Sequence, residues 1–184
     1  MATSADIGGS SAIEERGDER RDGDAARWWV LRVKARQEKT VARTLDAAGV
    51  EFLLPVQRRR QAWARGRVYE IPLFPGYVFA RSAGRLSDRE LGVGRVVQVI
   101  RVEDQARLDH ELRQIRLAME AGVVLAPAKY LERGTRVVVT GGALRGVEGV
   151  VEGLDAPDRV YLQVHTLGRA LTVEVSPTLV ARAG

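Results

Sequence analysis

The residues of this chain best suited to chemistry are cations, and the chemistry is anion binding. Arg36, Lys39 and Arg43 fall on one face of a predicted helix. Arg58, Arg59, Arg60, Arg65 and Arg67 surround Trp63 in a predicted hairpin. Guanidinium and ammonium groups suit phosphate contact, and an aromatic ring among them suits base stacking. Two readings of the hairpin stand: a basic finger toward upstream duplex or RNA, or a solvated hairpin with a packed Trp63. Catalytic groups are scarce. Cysteine is absent, which removes disulfides, thiolate metal sites and thiol nucleophiles together. His110 and His165 are the only histidines, and no carboxylate–histidine constellation or metal-ligand spacing surrounds either in the sequence. They read as solvent or fold histidines. We therefore expect a protein that is not an enzyme and needs no cofactor or metal.

The charge distribution agrees. The chain of 184 residues carries a formal +5, yet residues 1–26 hold seven acids and three arginines, a net of −4, which leaves +9 on the rest. A body that basic suits a polyanionic partner. The first 26 residues are rich in Gly, Ser and charge, lack periodicity, and are expected to be a disordered tail. Hydrophobic content of 45% is that of a globular protein, without an apolar run approaching the ~20 residues a membrane span requires. With no apolar signal-peptide core at its start, the chain is expected to be cytoplasmic.

The elements that must hold these cations follow from periodicity. Trp28–Lys34 predicts a strand, with Trp29, Leu31 and Val33 on one face and Trp28, Val30, Arg32 and Lys34 on the other. A helix is predicted from about Arg36 to Ala48, with Val41, Leu45 and Ala48 inward and Gly49 ending it. Strands are predicted at 51–54, at 56–63 and 68–73 as a hairpin, at 76–81 and at 96–102. A helix over 108–121 has Leu112, Ile115 and Met119 inward and Asp109 as its N-cap. Helices interleaved with strands suggest an α+β unit, helices packed on an antiparallel sheet, over residues 27–121. Residues 122–133, with Pro127 and no period, predict a linker. Residues 134–184 change character: short β-rich runs at 135–140, 147–152, 159–166, 170–176 and 178–181 predict a small all-β barrel.

Two segments stand out. In Pro72-Leu-Phe-Pro-Gly-Tyr-Val-Phe79, Gly76 suits a bend after Pro75, and Tyr77, Phe79 and Arg81 then alternate against Val78 and Ala80. The aromatic side is either a half-exposed protein-binding patch or a second buried face. In Gly134–Val151, glycines fall between and within β-forming runs. No helix follows and there is no Gly-Lys-Ser/Thr ending, so a phosphate-binding P-loop is excluded.

With those residues in view, the chain resembles the NusG/RfaH superfamily. Phe74-Pro75-Gly76-Tyr77 resembles the hallmark of the NusG N-terminal (NGN) domain, and Trp28-Trp29-Val30-Leu31 its opening strand. Residues 134–151 are similar to a KOW motif, and Gly168-Arg169-Ala170 with Val173-Glu174 resembles the last hairpin of a SH3-like KOW barrel. Leu31–Glu38 and Glu70–Phe79 look closer to specialised RfaH and UpxY-like antiterminators than to housekeeping NusG. The resemblance implies an elongation or antitermination factor that docks on the β′ clamp helices of RNA polymerase. The docking residues would be Trp28, Val30, Arg32, Phe74, Tyr77 and Phe79. It implies contact with the non-template DNA strand through Lys34, Arg36, Gln37, Lys39 and Arg43. For the KOW unit it offers Rho or the NusE ribosomal protein, met through Leu144. Residues near Leu86-Ser87-Asp88-Arg89 do not reproduce the His-Thr-Thr-Thr element by which RfaH meets the polymerase gate loop.

The alternatives are a housekeeping NusG-type factor coupling polymerase to Rho or the ribosome, and a ribosome-associated KOW protein. A monomer is expected. The β-branched runs at 136–139, 147–151, 160–164 and 171–175, with glycines among them, disfavour the helical form that RfaH adopts in this region. We therefore expect a permanently β unit, flexibly joined, that leaves the aromatic face open and Leu144 free.

Overall fold

The computed structural model describes residues 25–60, 68–154 and 157–184. The expectations for the acidic segment before residue 25 and for Trp63, Arg65, Gly66 and Arg67 lie outside the described residues. The architecture is α+β. Strand β1 (Arg27–Val33) lies between β5 (Tyr77–Ser82) and β6 (Val96–Arg101), with β2 (Glu51–Leu53) outside β5, all antiparallel. β3 (Val56–Arg60) and β4 (Val68–Pro72) form a separate two-stranded ribbon.

Helix α1 (Glu38–Ala47) covers one face of this sheet, where Val41 and Leu45 pack with Leu31, Val33, Val78 and Ala80. The short α2 (Asp88–Leu91) adds Leu86 through a capping box in which Ser87 and Glu90 satisfy each other's orphan amides. Two details of the sequence reading change. The helix begins at Glu38 because Arg36 has φ 62°, and Ala48 is exposed while Ala42 is buried. Gly49 does follow the helix in the left-handed region, where lack of a Cβ removes the penalty.

Helix α3 (Gln105–Glu120) covers the other face. Its N-cap is Asp104, whose carboxylate accepts the Arg107 N–H; Asp109 is inside the helix instead and accepts the Trp28 indole N–H at 2.9 Å. Gln105 continues the work of the ladder, accepting from Trp28 N and donating to Trp28 O. Leu108, Leu112 and Ile115 are buried, whereas Met119 is only partly so.

The C-terminal unit is one antiparallel sheet. It comprises β7 (Ala126–Lys129), β8 (Thr135–Val139), β9 (Glu148–Val151), β10 (Arg159–Val164), β11 (Arg169–Glu174) and β12 (Val180–Arg182), in the order β12-β8-β9-β10-β11-β7. Among the described residues β7 and β12 do not pair with each other, so the hydrogen-bonded ladder is open there rather than a closed ring. The stretch expected as a linker contains β7, paired along β11; Pro127 is tolerated because β7 is an edge strand. Gly149 is required by close approach. A Cβ there would collide with Val160 Cγ1 and come 2.8 Å from the Tyr161 carbonyl oxygen, which is backbone and cannot step aside. Gly149→Ala is expected to cost about 1–3 kcal/mol by overpacking, read as a lower denaturation midpoint.

The two units are docked on each other. One continuous apolar cluster runs from Trp28, Val30, Phe74 and Phe79, through Leu112 and Ile115, to Val147, Leu162 and Val164. α3 lies in the middle, touching β1 on one side and β10 on the other. A flexibly joined second unit and an open aromatic face are therefore not what the structure contains.

Candidate macromolecular interface

The aromatic face is built by strand register. β1 and β5 pair Trp28 with Arg81, Val30 with Phe79 and Arg32 with Tyr77, which sets the six implied docking residues, Phe74 included, on one side of the sheet or at its edge. The Phe74–Tyr77 segment supplies the bend: Pro75 precedes Gly76 at φ 85°, the residue pair a type II turn favours. Tyr77 N–H donates to Phe74 O, and Val33 N–H donates to Gly76 O at 2.8 Å. Gly76 N–H donates to the buried carboxylate of Glu38 at 2.8 Å. Glu38 thus ties the turn to the start of α1, a role the sequence did not disclose.

Of the two readings of the aromatic side, the structure has the second buried face. Phe74, Phe79, Val30 and Trp28 are 1%, 0%, 0% and 4% exposed. Phe74 and Phe79 meet edge to face, centroids 5.9 Å apart. The Arg81 guanidinium lies 5.7 Å from the Trp28 ring centre. Of the six, only Arg32 is exposed and Tyr77 half-buried. Leu144 was expected to be free; it is 6% exposed and part of the shared cluster.

Polar contacts hold the docking. Gln114 of α3 accepts the Glu148 N–H at 2.9 Å, and Glu111 accepts the His165 N–H at 3.0 Å. His165 Nδ1 and the Tyr130 hydroxyl are 2.7 Å apart, and Arg107 reaches both Glu111 and Tyr130. His110 Nε2 is 3.5 Å from a Glu148 oxygen. Leu125 N–H donates to Gln57. Both histidines lie at the contact between units, which their sequence spacing could not reveal. Burial is the larger influence on Glu111 and raises its pKa, against the opposing pull of the His165 N–H and Arg107. The Asp109 pKa is lowered, first by the Trp28 indole hydrogen bond and then by Arg113.

The implied nucleic-acid residues gather at the opposite end of β1. Lys34, Arg36, Lys39 and Arg43 are exposed and Gln37 half-exposed, around the tight turn where Gln37 N–H donates to Lys34 O. Arg95, which sequence reasoning missed, joins them because Lys34 N–H donates to its carbonyl at 2.9 Å. Arg36 is the single non-glycine residue with positive φ among the described residues. A side chain in that region costs roughly 1 kcal/mol and is retained at places where its position matters. Arg36→Gly is expected to stabilise the fold by up to about 1 kcal/mol while weakening binding to single-stranded DNA. Urea denaturation and fluorescence anisotropy read the two effects separately, and a destabilised variant would contradict the strain. Among the described residues there is no cluster of His, Cys, Asp or Glu able to hold a metal, and no helix long and apolar enough to cross a membrane.

Residues 26–116 match the family described as transcription termination factor nusG. The match covers 91 of the 184 residues, just under half of the chain, and makes that segment similar to a NusG-family domain. Among solved structures the chain is similar to one described as "Domain interaction in Thermotoga maritima NusG", at 22% identity and TM-score 0.44, covering 87% of this chain and 98% of that one. It is also similar to the MjSpt4:Spt5 complex, at 14% identity and TM-score 0.26 in conformation A and 16% and 0.25 in conformation B. Coverage is 85% of this chain in both, and 98% and 97% of those chains. No curated protein matches the chain.

Proposed function

We propose that the protein is a noncatalytic NusG-family elongation factor of the specialised antitermination type, which binds the β′ clamp helices of RNA polymerase and suppresses pausing or termination. The observation that carries this reading is the face on which Trp28, Val30, Phe74, Tyr77 and Phe79 converge within the segment similar to a NusG-family domain. A cluster of large apolar rings around a few polar groups is the composition of an interface core. The exposed Lys34, Arg36, Lys39 and Arg43, with the half-exposed Gln37, meet the non-template strand, cations on phosphate and glutamine on a base edge. The C-terminal sheet, with its glycine-rich run at 134–153, acts as the KOW unit.

The docked arrangement adds a condition. With α3 over one part of the face and the apolar cluster continuous into the C-terminal unit, the remaining part, where Arg169 lies over Tyr77, meets polymerase only after that unit moves away. Leu144 becomes available to Rho or the NusE ribosomal protein at the same moment. The family description as a termination factor favours a second reading, a housekeeping factor coupling polymerase to Rho or the ribosome. Affinity purification after nuclease treatment tests the common core: polymerase retained supports it, and polymerase lost with the nucleic acid points to a nucleic-acid-bound KOW protein instead.

A further inference from the structure

The tip of the β10–β11 hairpin brings a cation from the second unit into a basic cleft of the first. Gly168, at φ 58°, closes the hairpin and sets Arg169 with its guanidinium 5.1 Å from the centre of the Tyr77 ring. The cleft there, about 650 Å³, is lined among others by Arg32, Arg36, Lys39, Glu70, Tyr77 and Arg169. Its carboxylates are already engaged: Glu70 pairs with Lys39 at 3.3 Å and with Arg58, and Glu38 holds the Gly76 N–H. Arg32, Arg36 and Arg169 have no ion-pair partner among the described residues. Arg169 also stands directly opposite Lys129 in the β11–β7 register, and both are exposed. Like charges directly opposite in a ladder repel unless an anion lies between them.

We propose that the docked form binds a single-stranded nucleic acid across the boundary between the units. Its phosphates are held by Arg32 and Arg36 on one side and by Arg169 with Lys129 on the other. The proposal rests on the reading of the Lys34–Arg43 region as a nucleic-acid surface and adds the second unit to it. A guanidinium laid against a tyrosine keeps its N–H edge free for two parallel bonds to phosphate oxygens, and the stacking fixes its orientation in advance. A strand held by both units favours docking, and docking by linkage strengthens its hold on the strand. Polymerase, which needs the aromatic face, pulls the other way. Single-stranded nucleic acid thus stabilises the closed form.

Fluorescence anisotropy of the full-length chain with a short single-stranded DNA, across a salt series, tests this. Arg169→Ala and Lys129→Ala are each expected to weaken binding roughly fivefold at low salt and to lower the salt slope by about one phosphate contact. Lys129→Ala matters because it leaves the Tyr77 contact untouched, so its effect cannot come from undocking by loss of that stack. If Arg36→Ala weakens binding while both second-unit variants bind as wild type, the first-unit surface stands and the bridge is overturned. If none of the three changes affinity, both are overturned. Inorganic phosphate that displaces the oligonucleotide at equal phosphate concentration would assign the cleft to a small free anion and overturn the strand.

Discussion

In a urea titration, Phe79→Ala is expected to lose about 3–5 kcal/mol, enough to unfold a domain of ordinary stability. The ring is 0% exposed, meets Phe74 edge to face, and sits opposite Val30 in the β1–β5 ladder. Removing it leaves a cavity under α3 that close-packed neighbours cannot fill. Tyr77→Ala is expected to cost less, because that ring is half-buried and loses mainly the Arg169 stack. A Phe79 variant within about 1 kcal/mol of wild type would mean that the ring does not belong to the core. A polymerase-binding assay on Phe79 variants must therefore be corrected for the folded fraction.

The second large effect is on apparent affinity. Glu111→Ala combined with Gln114→Ala removes the acceptors of the His165 and Glu148 N–H groups. The part-buried Glu148 amide left without its partner costs about 1–3 kcal/mol, while the exposed His165 amide turns to water, so most of the loss of docking comes from Gln114. If docking holds all but about one molecule in a hundred closed, releasing it raises apparent affinity for the clamp helices roughly 50-fold, with no change in the binding face itself. Titration of the variant against a clamp-helix fragment reads this gain. Glu111→Gln is the informative contrast: the amide oxygen still accepts the His165 N–H and the burial cost of a carboxylate disappears, so it is expected to dock at least as firmly as wild type. The pH dependence follows from the same burial. The Glu111 pKa is raised in the docked form, so its contribution to docking is fullest below the ordinary glutamate value of 4.5 and is lost as pH rises through the raised value. Asp109 acts oppositely. Its lowered pKa gives stability present above the ordinary aspartate value of 3.8 and lost as pH falls through the depressed one.

Much of each unit was legible because its signals are local. Alternation in Trp28–Val33 marked a two-faced strand, Val41 and Leu45 marked the inner side of α1, and the residues from Thr135 to Glu174 fall into short strands separated by turns. Local ambiguity explains the smaller differences. Asp104 and Asp109 are both competent helix caps, and only the Gln105–Trp28 contact, 77 residues apart in sequence, shows why the helix starts earlier. Ala126–Lys129 has too little pattern to announce a strand and gains its structure from β11. The docking was invisible because its groups look like surface residues: Glu111, Gln114, Tyr130 and His165 find their partners 34 to 54 residues away in sequence. So the face that alternation selected was correctly grouped, while its cover was not. Arg36 in the left-handed region likewise leaves no trace in composition.

Action on a transcribing polymerase is read from transcription with purified RNA polymerase through a defined pause site and a Rho-dependent terminator. Wild-type protein is expected to shorten pauses and increase read-through, and the Glu111→Ala/Gln114→Ala variant to do so more strongly at equal concentration. Pause lifetimes and read-through unchanged by either protein, at concentrations well above those giving full nucleic-acid binding, would contradict that action.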